Sequence, residues 1–290
     1  MMAPNGIQSF YPYGCSYRWQ NSTEICQILS RFNSIRWYGD SIVRHSIQVM
    51  TMLALNDLFV GGIPKGSPSE AFALCRCDGQ LSEARICRDL SHTIFQMKNS
   101  RHYGLCREYP EFEMSLYDNQ GHSAEEEGLH SSINRACVPS LDQRPRIVIT
   151  NFGLHLDPTL DIKAGKEYLR ALLHGFVTEM RQCAERTEPF DLYFIIFSSE
   201  PFDLSVSTKY PGQDDDNVFN FNAAIKASVD ELPSHLRSRV FYFNSTAIIR
   251  GGRYVDGCHP LTESVAIRVQ YILGIMRLIL ELMRDPLGDI

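Results

Sequence analysis

Short apolar runs and helix-spaced apolar positions take turns along this chain. Ile35-Arg-Trp-Tyr38 reads as a short buried strand that ends in Gly39-Asp40, and from Ser41 onward Val43, Ile47, Met50 and Ala54 fall on one face of a helix. The same alternation returns later, with strands expected at Arg146 to Thr150, Leu192 to Phe197 and Val240 to Phe243, and helices near Asp161 to Glu185 and Val218 to Leu232. Strands alternating with helices predict an α/β fold with a mostly parallel sheet covered on both faces. From Gly61 to about Pro145 the pattern breaks down. That stretch is rich in Gly, Pro, Ser, Cys and charge, and is expected to form long loops with short elements inside a single domain spanning residues 1–290.

The last apolar stretch, about Thr262 to Met283, is long enough to raise the question of a membrane span. Gln270, Gly274, Arg277, Glu281 and Arg284 recur in it at helical spacing and make one polar stripe. A spanning helix needs about 20 mostly apolar residues, so this one is expected to pack on the sheet, and no transmembrane segment is expected. With 290 residues, 44% of them hydrophobic and 21% charged, the composition is that of an enzyme-sized globular domain. A net charge of -6 with no basic stripe leaves nothing to neutralise phosphates, so nucleic acid is not an expected partner. Glu125 to Glu127 and Asp214 to Asp216 read as solvated acidic loops. Three adjacent carboxylates at Asp214 lack the ligand spacing of a calcium loop.

Against this background two motifs carry chemistry. Gly39-Asp-Ser41 stands at the exit of the first strand, and Asp256-Gly-Cys-His259 stands near the end of the chain. A serine hydroxyl is a poor nucleophile at neutral pH. It needs an imidazole to take its proton and a carboxylate to hold that imidazole in the right tautomer. An Asp three residues before a His can do this on one tight turn. Singly, each motif has an ordinary reading, a strand-to-turn tripeptide or a helix cap. Together they gain weight from the first strand and helix, which put Ser41 at a helix N-terminus at the carboxyl end of a strand, where open α/β sheets keep their ligand crevices.

Trp19-Gln20, Cys26, Ile35-Arg-Trp-Tyr-Gly-Asp-Ser-Ile-Val-Arg44, the run Arg146-Ile-Val-Ile-Thr-Asn151-Phe-Gly153 and the closing Asp-x-x-His resemble one family. It is the PC-esterase and trichome-birefringence-like branch of the SGNH (GDSL) hydrolase superfamily, and the resemblance spans Trp19 to His259. It implies a three-layer αβα sandwich with a mostly parallel central sheet and a Cys-rich, loop-rich insertion. It also implies Ser41 as nucleophile, His259 as general base and then acid, and Asp256 as the carboxylate that orients His259. Donors to the developing oxyanion would be the backbone N–H of Ser41, the Asn151 side chain, and Arg44, one helical turn past Ser41. Asp40, Gly153 and His155 would face the substrate. No cofactor and no metal are implied. Without the family pattern, Arg44 reads as a surface ion pair and Asn151 as a loop cap.

The chain also departs from that branch. Plant members follow Asn-x-Gly directly with His and tryptophans, whereas here Leu154 intervenes before His155, so the substrate-facing wall differs. Gly61, Gly62 and Gly104 stay open as sources of a further oxyanion N–H. His45, four residues past Ser41 on the same helix, is the rival base. It has no carboxylate close in sequence and ranks below His259, with packing or support as its expected role. His92, His102, His122, His130, His174 and His235 have no partner pattern and are expected to be structural or surface residues.

Nine cysteines are many for a reduced compartment. Cys15, Cys26, Cys75, Cys77, Cys87 and Cys106 cluster in the N-terminal part, with Cys137 beyond them, and a disulfide framework is the favoured reading. The odd count leaves a free thiol, for which Cys183 is the choice, while Cys258 could brace the turn beside His259. A zinc site from Cys75, Cys77, Cys87 and His92 is the alternative, against the usual Cys-x-x-Cys spacing. Sequons at Asn21 and Asn244 agree with secretion, whereas Met1 to Phe10 lacks the regions of a signal peptide. The expectation is a protein of the secretory pathway with a replaced or processed start; an intracellular protein with reduced cysteines is the alternative.

The expected function is a serine esterase or O-acyltransferase, monomeric, acting on an acylated carbohydrate or similar small hydroxylated molecule. The alternatives are an intracellular acyltransferase or esterase of natural-product biosynthesis, and a non-catalytic glycan-binding module of the same fold.

Overall fold

A computed structural model of the chain describes residues 18–94, 96–97, 104–118, 144–151, 161–167, 169–171, 173–174, 192–201, 212–249, 254 and 259–284. In chain order the elements are α1 (Ser22–Leu29), β1 (Ser34–Gly39), α2 (Ser41–Ala54), α3 (Ser69–Leu74), a 3-10 turn (Cys77–Leu81), α4 (Arg85–Ile94), β2 (Gln96–Met97), β3 (Glu113–Asp118), β4 (Arg146–Thr150), β5 (Leu192–Phe197), α5 (Asp215–Asp230), α6 (Ser234–Arg237), β6 (Val240–Phe243), α7 (Ser245–Ile249) and α8 (Thr262–Arg284). The strands form one sheet in the order β2-β3-β1-β4-β5-β6. All neighbours pair in parallel except β2, which runs antiparallel to β3 at the edge. The order of the parallel strands reverses between β1 and β4, and a crevice opens outside the carboxyl ends of strands at such a switch point.

Side-chain alternation along the strands divides the core into two layers. On one face Ile147 and Ile149 of β4 and Ile195 and Phe197 of β5 meet Val43, Ile47 and Met50 of α2 and Val265, Val269 and Ile272 of α8. On the other, Val148, Phe194 and Ile196 meet Val218, Phe221, Ile225 and Val229 of α5. The result is three layers, α/β/α. Each such fully buried aliphatic or aromatic side chain contributes about 1.5–3 kcal/mol, so the two faces hold the sheet and its crevice in place.

Several elements differ from the sequence reading. β3 arises within the stretch expected to be irregular, yet it pairs with β1 along its whole length. In Glu-Met-Ser-Leu-Tyr-Asp polar and apolar residues alternate with no continuous apolar run, so the segment does not read as a buried strand. The acidic run at Asp214 is no loop. Asp214 caps α5 by accepting the Asn217 N–H at 2.8 Å, and Asp215 and Asp216 form its first turn, where the helix dipole favours negative charge.

α8 packs on the sheet as expected, but Gln270 does not lie on a solvent stripe. It is fully buried and clamps the backbone of Gln20, accepting its N–H at 2.8 Å and donating to its carbonyl at 3.0 Å. Among the described residues no helix is long and apolar enough to cross a membrane.

Cys26 is joined to Cys106 and Cys75 to Cys87. The second bond uses two ligands of the alternative zinc set and removes that reading. Cys77 is an exposed free thiol; Cys15, Cys137, Cys183 and Cys258 lie outside the described residues. The sequon residues Asn21 and Asn244 are exposed, and each side chain caps a helix start.

Candidate active site

The turn between β1 and α2 is built around a glycine. Gly39 has φ +147°, and a Cβ there would stand 2.5 Å from Val43 Cγ2 and 2.6 Å from the Asn151 carbonyl oxygen. Only a residue without a side chain lets the end of β4 close on the first turn of α2. Asp40 then caps α2, its carboxylate accepting the Ile42 N–H at 2.9 Å. The Ser41 N–H remains a first-turn donor that no helix carbonyl can reach.

His259 arrives from the other end of the chain, three residues before α8 begins. An antiparallel bridge pairs Tyr254 with Pro260, the residue that follows His259. Asp78 of the 3-10 turn accepts from both the Thr262 N–H, at 3.3 Å, and the Thr262 hydroxyl, which ties the start of α8 to the disulfide-bonded loop. The outcome is a 2.6 Å contact between Ser41 Oγ and His259 Nε2, across 218 positions of sequence. His259 is buried, while Ser41 keeps partial access to solvent. Asp256, Gly153 and His155, named from sequence with these two, lie outside the described residues.

A carboxylate that the sequence reading did not single out completes the cluster. Glu83, from the segment between the 3-10 turn and α4, accepts a hydrogen bond from Arg44 Nη2. Its Oε1 also lies 3.4 Å from His45 Nε2 and 3.7 Å from His259 Nε2. Burial alone would raise the Glu83 carboxyl; the contact with His45 and the charge of Arg44 outweigh it and bring it down to about 2, so Glu83 is an anion at neutral pH.

His45 is fully buried, and desolvation lowers its imidazole to about 3, so it is neutral in the same range. Arg44 Nη2 stands 3.2 Å from His45 Nε2. The same nitrogen faces the Glu83 carboxylate, which can only accept, while His45 Nδ1 is buried with no hydrogen-bond partner among the described residues. The His45 ring lies 4.8 Å from the His259 ring, centre to centre, as its neutral neighbour.

The expected oxyanion donors have definite partners. Arg44 is bound to Glu83, and among the described residues its buried Nε and Nη1 have no hydrogen-bond partner. Asn151 follows β4 directly, is buried, and donates through Nδ2 to the Phe197 carbonyl at 2.9 Å, which leaves one amide hydrogen uncommitted by that bond. The N–H groups of Gly61 and Gly62 are taken within the loop, by the Asp57 carbonyl and by Gln80 Oε1. Gly104 adopts φ +72° and packs against Arg107.

Beneath the site lies a second ion pair, also missed from sequence. Arg268 donates to Glu200, to Ser46 Oγ at 3.1 Å and to the Ile42 carbonyl at 3.4 Å, so it joins α8 to the first turn of α2. Burial pushes the Glu200 carboxyl upward, opposed by Arg268 and reinforced by Asp40. Arg268 falls off the polar stripe read along α8. A lone charge on the apolar side of a helix was the available signal for a buried partner.

His45, Glu83 and His259 place one ligand atom each within 4.8 Å of one another, a His/His/carboxylate donor set that zinc accepts. Arg44 Nη2 already touches two of those three atoms. A guanidinium therefore holds the position a cation would take.

No protein-family model and no curated protein matches the chain. Solved structures give distant likenesses. A Bacteroides fragilis protein named as an acylhydrolase is 10% identical, with 86% of this chain and 88% of that one covered and a TM-score of 0.42. A member of the lipolytic G-D-S-L family from Veillonella parvula is 13% identical, covering 83% and 96%, with a TM-score of 0.36. A variant of an acetylxylan esterase from Geobacillus stearothermophilus is 13% identical, covering 84% and 94%, with a TM-score of 0.34. Likenesses at these scores carry no weight for the chemistry, which rests on the side chains described above.

Proposed function

We propose that this chain is an SGNH-type serine esterase or O-acyltransferase, of the PC-esterase-like kind, acting on an acyl ester of a carbohydrate or similar hydroxylated molecule. An acetyl group is the expected acyl unit. The observation that carries the reading is the 2.6 Å contact of Ser41 Oγ with His259 Nε2 at a helix N-terminus. His259 Nε2 takes the Ser41 proton as Oγ bonds to the ester carbonyl carbon. The negative oxygen of the tetrahedral intermediate is met by the Ser41 N–H, the positive Arg44 and the remaining Asn151 amide hydrogen. Collapse breaks the bond to the leaving alcohol, which receives the proton from His259 and leaves an acyl-serine. Water or a second hydroxyl, deprotonated by the same nitrogen, then attacks the acyl carbon and regenerates Ser41. Asp256 is assigned to orient His259 throughout. Asp40 serves the first turn of α2 through its cap, and Gly153 and His155 are assigned to the substrate wall.

The test is labelling with a serine-directed fluorophosphonate together with turnover of aryl acetates of increasing chain length, with and without sugar acceptors. Native protein should be labelled at Ser41 and should release the aryl alcohol. Ser41→Ala and His259→Ala should each lose nearly all turnover while keeping the native circular dichroism spectrum, because residues that act as a unit fail together. Native-rate turnover by Ser41→Ala would refute the mechanism.

A further inference from the structure

Among the described residues Glu83 is the anion that reaches both the arginine and the histidine of the site, and the loop that carries it is fastened at several points. The Cys75–Cys87 bond closes a 12-residue separation around it. Gln80, three residues before it, is buried and accepts from the Gly62 N–H; it donates to the carbonyls of Leu58, Phe59 and Cys77. The Gln80 carbonyl in turn accepts from Gln48 Nε2 of α2 at 2.8 Å. Asp78 adds the link to Thr262 already described. A loop pinned to both α2 and α8 delivers its carboxylate to the groups those helices present.

We propose, on the premise of the serine mechanism above, that Glu83 is a positioning residue of this site. Its carboxylate anchors the Arg44 guanidinium and faces His259 Nε2 with negative charge. Taking the Ser41 proton turns His259 into a cation at that nitrogen, beside Arg44. Glu83 offsets Arg44 and favours the cation, and it takes no proton itself, because its carboxyl stays ionised. Among the described residues the charged and titratable groups around His259 are Arg44 and His45 from α2, Glu83 from the loop, and Asp40 with the Glu200–Arg268 pair beneath α2; Asp256, assigned above to orient His259, lies outside them. Asp78 and Glu263 stand at the start of α8. Of the acidic groups in this set, Glu83 is the one whose carboxylate is seen within 4 Å of His259 Nε2.

Glu83→Gln keeps the shape and removes the charge; Glu83→Asp keeps the charge on a shorter arm. Two readouts are taken on each. The first is the NMR titration of the His259 ring, which needs no turnover. The second is the pH dependence of Ser41 labelling by the fluorophosphonate. In Glu83→Gln the His259 titration and the acid limb of labelling should both move toward lower pH, and plateau labelling should fall on the order of 10-fold, the size expected of one charge removed near a partly exposed pair. KM for an aryl acetate should change little, and Glu83→Asp should recover part of the shift. An unmoved His259 titration with plateau labelling within about twofold of native, in a variant with native near-ultraviolet circular dichroism, overturns the proposal. Absence of labelling in the native protein, with the His259 titration still responding to Glu83, would refute the esterase reading and leave the Glu83–His259 coupling standing.

Discussion

Two arginine–glutamate pairs meet α2 on different sides, and they behave in opposite ways. Arg268 and Glu200 have side chains 0% and 2% exposed; Arg44 is 1% exposed, while Glu83 is 40% exposed. In the first pair burial prevails and the glutamate carboxyl is pushed upward. In the second the partners prevail and the carboxyl is held at about 2. The contrast follows from solvent. A carboxylate with one side in water keeps part of its hydration and gains from nearby positive charge, whereas one sealed in the core loses hydration that no single partner restores. The deep pair is a strut between α8 and the first turn of α2, and the shallow pair sets the field at His259.

The largest expected effect breaks the strut. Glu200→Ala or Arg268→Met leaves one charge buried alone, which costs about 3–5 kcal/mol, while replacing both with aliphatic residues of similar volume restores most of the loss. Equilibrium denaturation in urea reads this directly. A loss under about 1 kcal/mol in both single variants would place the two pairs in one class and end the distinction.

The shallow pair should show the reverse profile, with less lost in stability and much lost in rate. Arg44→Ala removes a proposed oxyanion donor, and loss of one such donor costs about 10²- to 10³-fold in kcat. Glu83, left behind, can hydrate through its exposed side, so the cost to the fold should be smaller than in the deep pair and come mainly from the cavity left by the buried Arg44 side chain. Arg44→Lys keeps the charge but loses the planar guanidinium that aims its donors, and should also be impaired in kcat rather than KM. Near-native kcat in both variants with only a raised KM would move Arg44 from the oxyanion to the substrate wall.

These pairs also mark what was legible in the sequence. The scaffold under Ser41 could be read because its strands are continuous apolar runs and α2 repeats its apolar face at helical spacing, both local signals. Ser41 and His259 could be paired because each sits in a motif with a chemical reason. Glu83 had no such signal: Leu81-Ser-Glu-Ala84 is ordinary loop sequence, and its role comes from a disulfide, a buried glutamine and a link to Thr262, all of them contacts distant in sequence. β3 was hidden for a related reason, since a short strand with one mostly polar face depends on β1 to define it. Gln270 looked like part of a solvent stripe because spacing alone cannot tell an exposed amide from one that clamps a backbone.

The smallest expected effect concerns acid, and it separates the groups around the shallow pair by pH. His45 has its folded value lowered to about 3 from 6.5. A group with a depressed value supports the fold fully above its unfolded value and loses that support as pH falls toward the folded one. The His45 contribution therefore fades between pH 6.5 and 3, with a slope of at most about 1.4 kcal/mol per pH unit. Glu83 is lowered from 4.5 to about 2 and acts in the same direction, but only below 4.5. Glu200 has the opposite sign: its raised carboxyl favours the fold on the acid side, and that support is lost as pH rises through its folded value. Between pH 6.5 and 4.5 His45 is thus the group of the shallow cluster expected to weaken the fold. Urea unfolding of native protein and His45→Gln at pH 7 and pH 5 should show the native protein losing about 1–2 kcal/mol more on acidification. Equal losses in the two proteins would mean that His45 takes up its proton in the folded state as readily as in the unfolded one, and that the site gains a second cation beside Arg44 by pH 5.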